Sequence, residues 1–295
     1  MSQYQQLLLL AQDAELTSPA ARRATALARA TGAGLHVLGL FEPHGLGHWQ
    51  QEKDTDRHIA EQFGQFRDRL LEQVGAIGLD NTCASGQAVV CDDPLKDVLA
   101  CLGERRPDMV ISDLHKVSPL ARAFGTPFDK QLMQASQVPV HVVPDGAAAL
   151  PKVILAAIDT SLPEQGADFN QRIIRQAMAM ALQCDARLHL LCAYDISPLF
   201  VADSNAASDW VEELVAALRE PYDALADLYG VAPECRHFVQ GAPVAVIREQ
   251  VLDLAVDVVV MGIVQPKGLG KLLGDTTERI VNSALCSVLA VNRTP

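Results

Sequence analysis

Residues 257–277 run Asp-Val-Val-Val-Met-Gly-Ile-Val-Gln-Pro-Lys-Gly-Leu-Gly-Lys-Leu-Leu-Gly-Asp-Thr-Thr. An apolar run, Val258 to Met261, ends at Gly262, passes through a segment holding Gly268 and Gly270, and reaches Gly274 just before a helical pattern opens at Asp275. That order is a β-strand, a glycine-bearing loop and a helix N-terminus. In a parallel α/β sheet such a loop sits at the carboxyl end of its strand, where backbone N–H groups and the helix dipole hold anions. The spacing matches neither G-x-x-x-x-G-K-[ST] nor G-x-G-x-x-G, and a glycine-bearing connection without a ligand is the competing reading.

Outward from this segment, the same grammar fills the chain. Leu7 to Ala11 reads as a buried strand, a helix from about Ser18 through Ala30 is stopped by Gly32 and Gly34, and Leu35 to Phe41 gives the next strand. A helix from about Gln50 to Val74 carries Ile59, Phe63, Phe66, Leu70 and Val74 at helical spacing. Short strands follow at Ala88 to Val90, Asp108 to Ser112 and Pro139 to Val143, separated by a helix capped at Asp92-Asp93-Pro94, a polar loop from Leu114 to Gly125, and a short helix after Pro127. Such alternation predicts a parallel sheet with helices on both faces.

Pro144 to Pro151 reads as a linker, and beyond it the pattern restarts. Val153 to Ile158 ends in Asp159 as Leu7 to Gln12 ends in Asp13, and Leu188-His189-Leu190-Leu191 echoes Leu35-His36-Val37-Leu38. Pro94 and Pro243 are 149 positions apart, as are Asp108 and Asp257. Ordered matches at near-constant offset predict a duplicated domain, with copies at 1–145 and 151–295.

The composition narrows the function classes. With 295 residues, 49% hydrophobic and 20% charged, the chain can bury two cores. A formal charge of −12 argues against non-specific binding to nucleic acid or an anionic membrane. Met1 to Gln12 lacks the basic region of a signal peptide and the length of a membrane span. Seven scattered cysteines form no C-x-x-C pair and no ligand cluster, which fits reduced thiols in a cytoplasmic protein and predicts no metal site.

The duplicated domain resembles the universal stress protein family, whose members carry an Asp at the end of the first strand and a G-x2-G-x9-G-[ST] loop after the fourth. The resemblance covers the whole chain as two copies and is strongest to the tandem E-type branch. Phe124-Gly125-Thr126-Pro127-Phe128-Asp129 resembles that branch's F-T-P-T-D-W segment, and Gly274-Asp275-Thr276-Thr277-Glu278 its G-N-T-A-E. It implies two flavodoxin-like domains (the adenine nucleotide alpha hydrolase-like class), each a five-stranded parallel sheet, paired within the chain about a pseudo-twofold axis, with a homodimer as a further option. It also implies an adenine nucleotide, ATP with or without Mg²⁺, over the strand ends in many but not all members.

Carried over residue by residue, the resemblance assigns ligand binding to Asp159, Gly262, Gly274, Asp275 and Thr276, with Gly268 and Gly270 supplying loop flexibility. Three departures stand against it. Gln265 replaces the second glycine, the following gap is one residue short, and Asp275 replaces a Ser or Thr. A carboxylate there caps its own helix and repels a phosphate seeking the same N–H groups, unless Lys267, Lys271 or a divalent cation offsets it. The first copy has Ser112-Asp113-Leu114-His115-Lys116 in place of the loop glycines, which predicts a structural copy or a different ligand.

The remaining candidates read as structural. His44 and His48 flank a glycine loop without a third ligand, and His36 and His189 recur in equivalent strands, which predicts a shared packing or hydrogen-bonding role. Asp159, Ser161 and His189 lack the elbow that would make them a hydrolase triad. The Trp210 to Leu228 helix, interrupted or kinked at Pro221, presents Trp210, Leu214, Leu218, Leu225 and Leu228 as an apolar face, with Phe200, Tyr222 and Tyr229 as candidate rim residues of an apolar site. The functional expectation is a stress-response protein that binds a small ligand in its second domain and has no dedicated catalysis. An interaction scaffold, ligand-free or holding an apolar ligand, and a slow ATPase are the alternatives.

Overall fold

A computed structural model describes residues 4–43, 52–77, 83–114, 127–161, 165–195, 207–263 and 275–293, with the backbone alone for 52–56, 165–167, 207–210 and 275. The chain divides into two compact units, residues 2–150 and 151–295.

In the N-terminal unit the elements are β1 (Gln6–Ala11), α1 (Pro19–Thr31), β2 (Gly34–Phe41), α2 (Glu52–Ala76), β3 (Ala84–Val90), α3 (Pro94–Arg105), β4 (Met109–Asp113), α4 (Phe128–Ala135) and β5 (Val140–Val143). The strands pair in parallel in the order β3-β2-β1-β4-β5. Leu7, Leu8, Leu9 and Leu10 are all buried because the central strand is covered on both faces. Helix α1 starts where Ser18 Oγ accepts the Ala21 N–H (3.2 Å) with Pro19 behind it. It ends at Gly32, left-handed at φ 71°, whose N–H reaches the Ala28 carbonyl.

Strand β3 is longer than its sequence predicts. Ala84-Ser85-Gly86-Gln87 has no strand propensity, yet β2 pairs along all of it, from Leu35 opposite Ala84 to Phe41 opposite Val90. Tertiary pairing overrides the local preference here.

In the C-terminal unit the elements are β6 (Val153–Ile158), α5 (Gln165–Cys184), β7 (Arg187–Tyr194), α6 (Ala207–Leu228), β8 (Arg236–Gln240), α7 (Pro243–Asp253), β9 (Val258–Ile263), α8 (Asp275–Ser283) and β10 (Ser287–Asn292). They pair in parallel in the order β8-β7-β6-β9-β10. Helix α6 continues through Pro221 without a break, and Leu228, expected on its apolar face, is 66% exposed.

The duplication is repeated in atomic detail. Asp108 Oδ2 accepts the N–H groups of Gln5 (2.6 Å) and Gln6 (2.9 Å), and Asp257 Oδ2 those of Lys152 (2.7 Å) and Val153 (2.9 Å). Each carboxylate ties the start of one central strand to the start of its neighbour. The seven cysteines are free thiols, with only Cys83 exposed.

The repeated histidines share a hydrogen-bonding role. His36 Nδ1 lies 2.8 Å from Ser85 Oγ, and His189 Nδ1 lies 2.9 Å from His237 Nε2, so each ring ties a second strand to its edge neighbour. Burial, with the Arg105 charge second, pushes the His36 pKa from its ordinary 6.5 down to about 4. Burial also lowers His189 and His237, with the His237 charge a second cause at His189. His36 is kept neutral in the folded state, so the unfolded chain binds more protons there once the pH falls below 6.5. Stability attributable to His36 is therefore intact above 6.5, falls as the pH drops toward 4 and is fully lost below it. Urea midpoints measured across that range should decline, and the decline should be smaller in His36→Gln.

Candidate functional site

The carboxyl ends of β6, β7 and β9 open onto a cavity of about 500 Å³ in the C-terminal unit. Its interior is apolar, lined by Leu191 and Ala193 from β7, Ile173 from α5, Leu218 from α6, Ile247 from α7 and Met261 from β9. Polar groups gather at the strand ends: Asp159, Thr160 and Ser161 after β6, Tyr194 and Asp195 at β7, and Thr276 and Thr277 in the first turn of α8. An apolar body with a few convergent polar groups is the general form of a small-molecule site.

The strip after β6 is held from three sides. Asp159 Oδ1 accepts the Ser161 N–H at 2.9 Å and its hydroxyl at 2.5 Å, a turn closed by the carboxylate over two residues. Behind it, the buried carboxamide of Asn170 donates to the Asp159 carbonyl (2.8 Å) and accepts its N–H (3.3 Å). Thr160 donates to the Leu218 carbonyl (2.9 Å) and lies 3.4 Å from Cys192 Sγ, which joins β6 to helix α6 over the cavity. Burial pushes the Cys192 thiol up, and it stays protonated at neutral pH.

At β9 the glycine answers a packing demand. A Cβ on Gly262 would stand 2.4 Å and 2.5 Å from Phe169 Cε1 and Cζ and 3.0 Å from Ile173 Cδ1, so the buried ring of α5 lies directly over this backbone. The buried Thr277 hydroxyl donates to the Gly262 carbonyl (3.1 Å), fixing the start of α8 against the end of β9.

Of the residues chosen from sequence, Asp159, Gly262 and Thr276 line one cavity. Asp275 opens α8, and Gly268, Gly270 and Gly274 lie outside the described residues, as do Gln265, His44, His48 and Phe200. Tyr222 is not a rim residue. It is 1% exposed and donates to the Leu190 carbonyl at 2.9 Å, its ring held in the core against Phe238.

Sequence reasoning passed over Asn170, Thr160, Thr277 and Phe169. The signal for Asn170 was a lone amide beside Phe169 on the face where Ile173, Ile174 and Ala177 recur. The other three carry no local mark.

The first copy uses its strand ends differently. Asp113, at the end of β4 and 149 positions before Gly262, accepts the Ala20 N–H at 2.8 Å, so its own carboxylate occupies the first turn of α1.

The sequence profile of the universal stress protein family matches residues 151–292. Universal stress protein A homolog 1 of Coxiella burnetii is 32% identical over 149 residues, covering 48% of this chain and 95% of that protein. Universal stress protein E of Photorhabdus laumondii is 23% identical over 304 residues, 99% of this chain and 96% of that one. The universal stress protein E homolog of Haemophilus influenzae is 27% identical, the match spanning 62% of each.

Among solved structures, a Pseudomonas aeruginosa protein of unknown function superposes with TM-score 0.71 at 21% identity, covering 98% of this chain and 92% of that one. A universal stress protein of Archaeoglobus fulgidus gives 0.64 at 14% identity, covering 99% and 100%. At these identities the structures establish the fold alone.

Proposed function

Because this chain belongs to the universal stress protein family, in its tandem E-type branch, we propose that it is a stress-response protein whose C-terminal domain is a small-ligand receptor. We assign an adenine nucleotide as the first ligand to test. The observation that carries the reading is the cavity where the ends of β6, β7 and β9 converge on the first turn of α8. A purine ring matches its apolar walls, Asp159 stands at the strand end to meet ribose or base, and Thr276 with the α8 N–H groups faces the phosphates. Were Mg²⁺ bound with the nucleotide, Asp159 and Asp195 are the lining carboxylates that would hold it, and it would supply positive charge against the phosphates. No step of covalent chemistry is assigned, and the protein acts by ligand occupancy in the cytoplasm.

A second reading, an apolar ligand without phosphate, is favoured by one feature. Asp159 and Asp195 are the ionisable carboxylates among the described lining residues, and the deeper walls are hydrocarbon. Titration calorimetry of the full chain with ATP, with and without Mg²⁺, separates the two. The nucleotide reading expects one site per chain, lost in Ala193→Trp, which fills the cavity. Absence of both heat and thermal shift sinks it and leaves the apolar ligand, which native mass spectrometry of the purified protein then identifies.

A further inference from the structure

We infer that Asn170 is the positioning residue of this binding site: its carboxamide fixes the backbone of Asp159 and so the direction in which the Asp159 carboxylate meets a ligand. The inference rests on the cavity being the binding site proposed above.

The geometry begins where the sheet ends. Paired β6 stops at Ile158, opposite Cys192, so Asp159 is the first residue beyond the ladder. Asn170, 4% exposed on α5, faces the Asp159 carbonyl with Nδ2 at 2.8 Å and its N–H with Oδ1 at 3.3 Å. An amide so buried is costly unless its donor and acceptor are both matched, and here one residue matches both. The two partners also dictate which way the amide is turned, since the reverse would oppose like groups. With the backbone fixed, Asp159 Oδ1 is committed to Ser161 N–H and Oγ, which sets where the second oxygen points.

The duplication supplies an internal control. Asp13, two residues beyond β1, closes a similar turn on the Glu15 N–H at 3.0 Å, but the position that the strand register matches to Asn170 is Arg23, fully buried and committed to the Ala148 carbonyl and His141. The clamp is present in the copy whose strand ends open onto the cavity, the arrangement expected of a side chain that supports a binding group.

The test uses the full chain with Asn170→Ala and Asn170→Asp, reading amide hydrogen exchange at residues 159–161, the melting temperature, and ATP affinity. In the alanine variant, exchange of the Asp159 amide should rise about tenfold or more and ATP affinity fall roughly tenfold, with global melting little changed. The aspartate variant, at a pH where its carboxyl is ionised, keeps the acceptor and loses the donor. Exchange at Asp159 should stay slow there while ATP binding remains weakened, a split that a purely structural role would not produce. Unchanged exchange at Asp159 in Asn170→Ala overturns the inference, and so does wild-type ATP affinity in that variant. If the wild-type chain does not bind ATP, the nucleotide reading alone fails, and the exchange signature still decides the role of Asn170.

Discussion

Arg23→Ala should unfold the N-terminal unit at a urea midpoint well below wild type, a loss of about 3–5 kcal/mol. The guanidinium is fully buried in α1. Its Nε and Nη2 donate to the Ala148 carbonyl at 3.1 and 2.8 Å, and Nη1 lies 2.8 Å from His141 Nε2. Arginine is always a donor, so His141 must accept at Nε2 and be neutral there. Alanine would leave a cavity, an orphaned carbonyl and an orphaned imidazole nitrogen in one place. Arg23→Met restores volume without donors and should recover only the packing share. Equal midpoints for the wild-type and alanine proteins would show that the buried guanidinium contributes nothing net.

The second large effect is at Gly262. Its backbone is ordinary strand, so alanine would be expected to fit on conformational grounds. The obstacle is Phe169, whose ring atoms lie 2.4 and 2.5 Å from the position the new Cβ would take. The ring is buried and has the Arg293 guanidinium 5.3 Å from its centroid, and the open space beside it is the cavity. Gly262→Ala should cost about 1–3 kcal/mol and reduce ligand capacity as the ring is displaced. In a Phe169→Ala background the same substitution should be nearly neutral. A double-mutant cycle gives the coupling directly, and additivity of the two changes would mean that the ring is not what makes glycine necessary.

Both effects bear on what was legible in sequence. Gly262 stands out in sequence because it ends an apolar run and matches the first loop glycine of the family; the same residue answers a ring from a helix that starts almost a hundred positions earlier. Pro144 to Pro151 read as a linker on composition, yet Ala148 within it is held by Arg23 of α1. Asn170 was an amide on an apolar face, with nothing nearby to say that its partner was the backbone of Asp159.

The sequence by itself determined the parallel α/β class, the duplication, the positions of most strands and helices, and the strand-end location of Asp159 and Gly262. These follow from hydrophobic periodicity, capping residues and repeated spacing, all of which act over a few residues or recur at a fixed offset. Only the tertiary structure decided that β3 pairs along its full length, that Tyr222 lies in the core, that the first copy fills the turn of α1 with Asp113, and that Asn170 holds Asp159. Each is a contact between elements brought together by chain folding. The free energy of such a contact depends on burial and on which partner stands opposite, and neither is written in the local sequence.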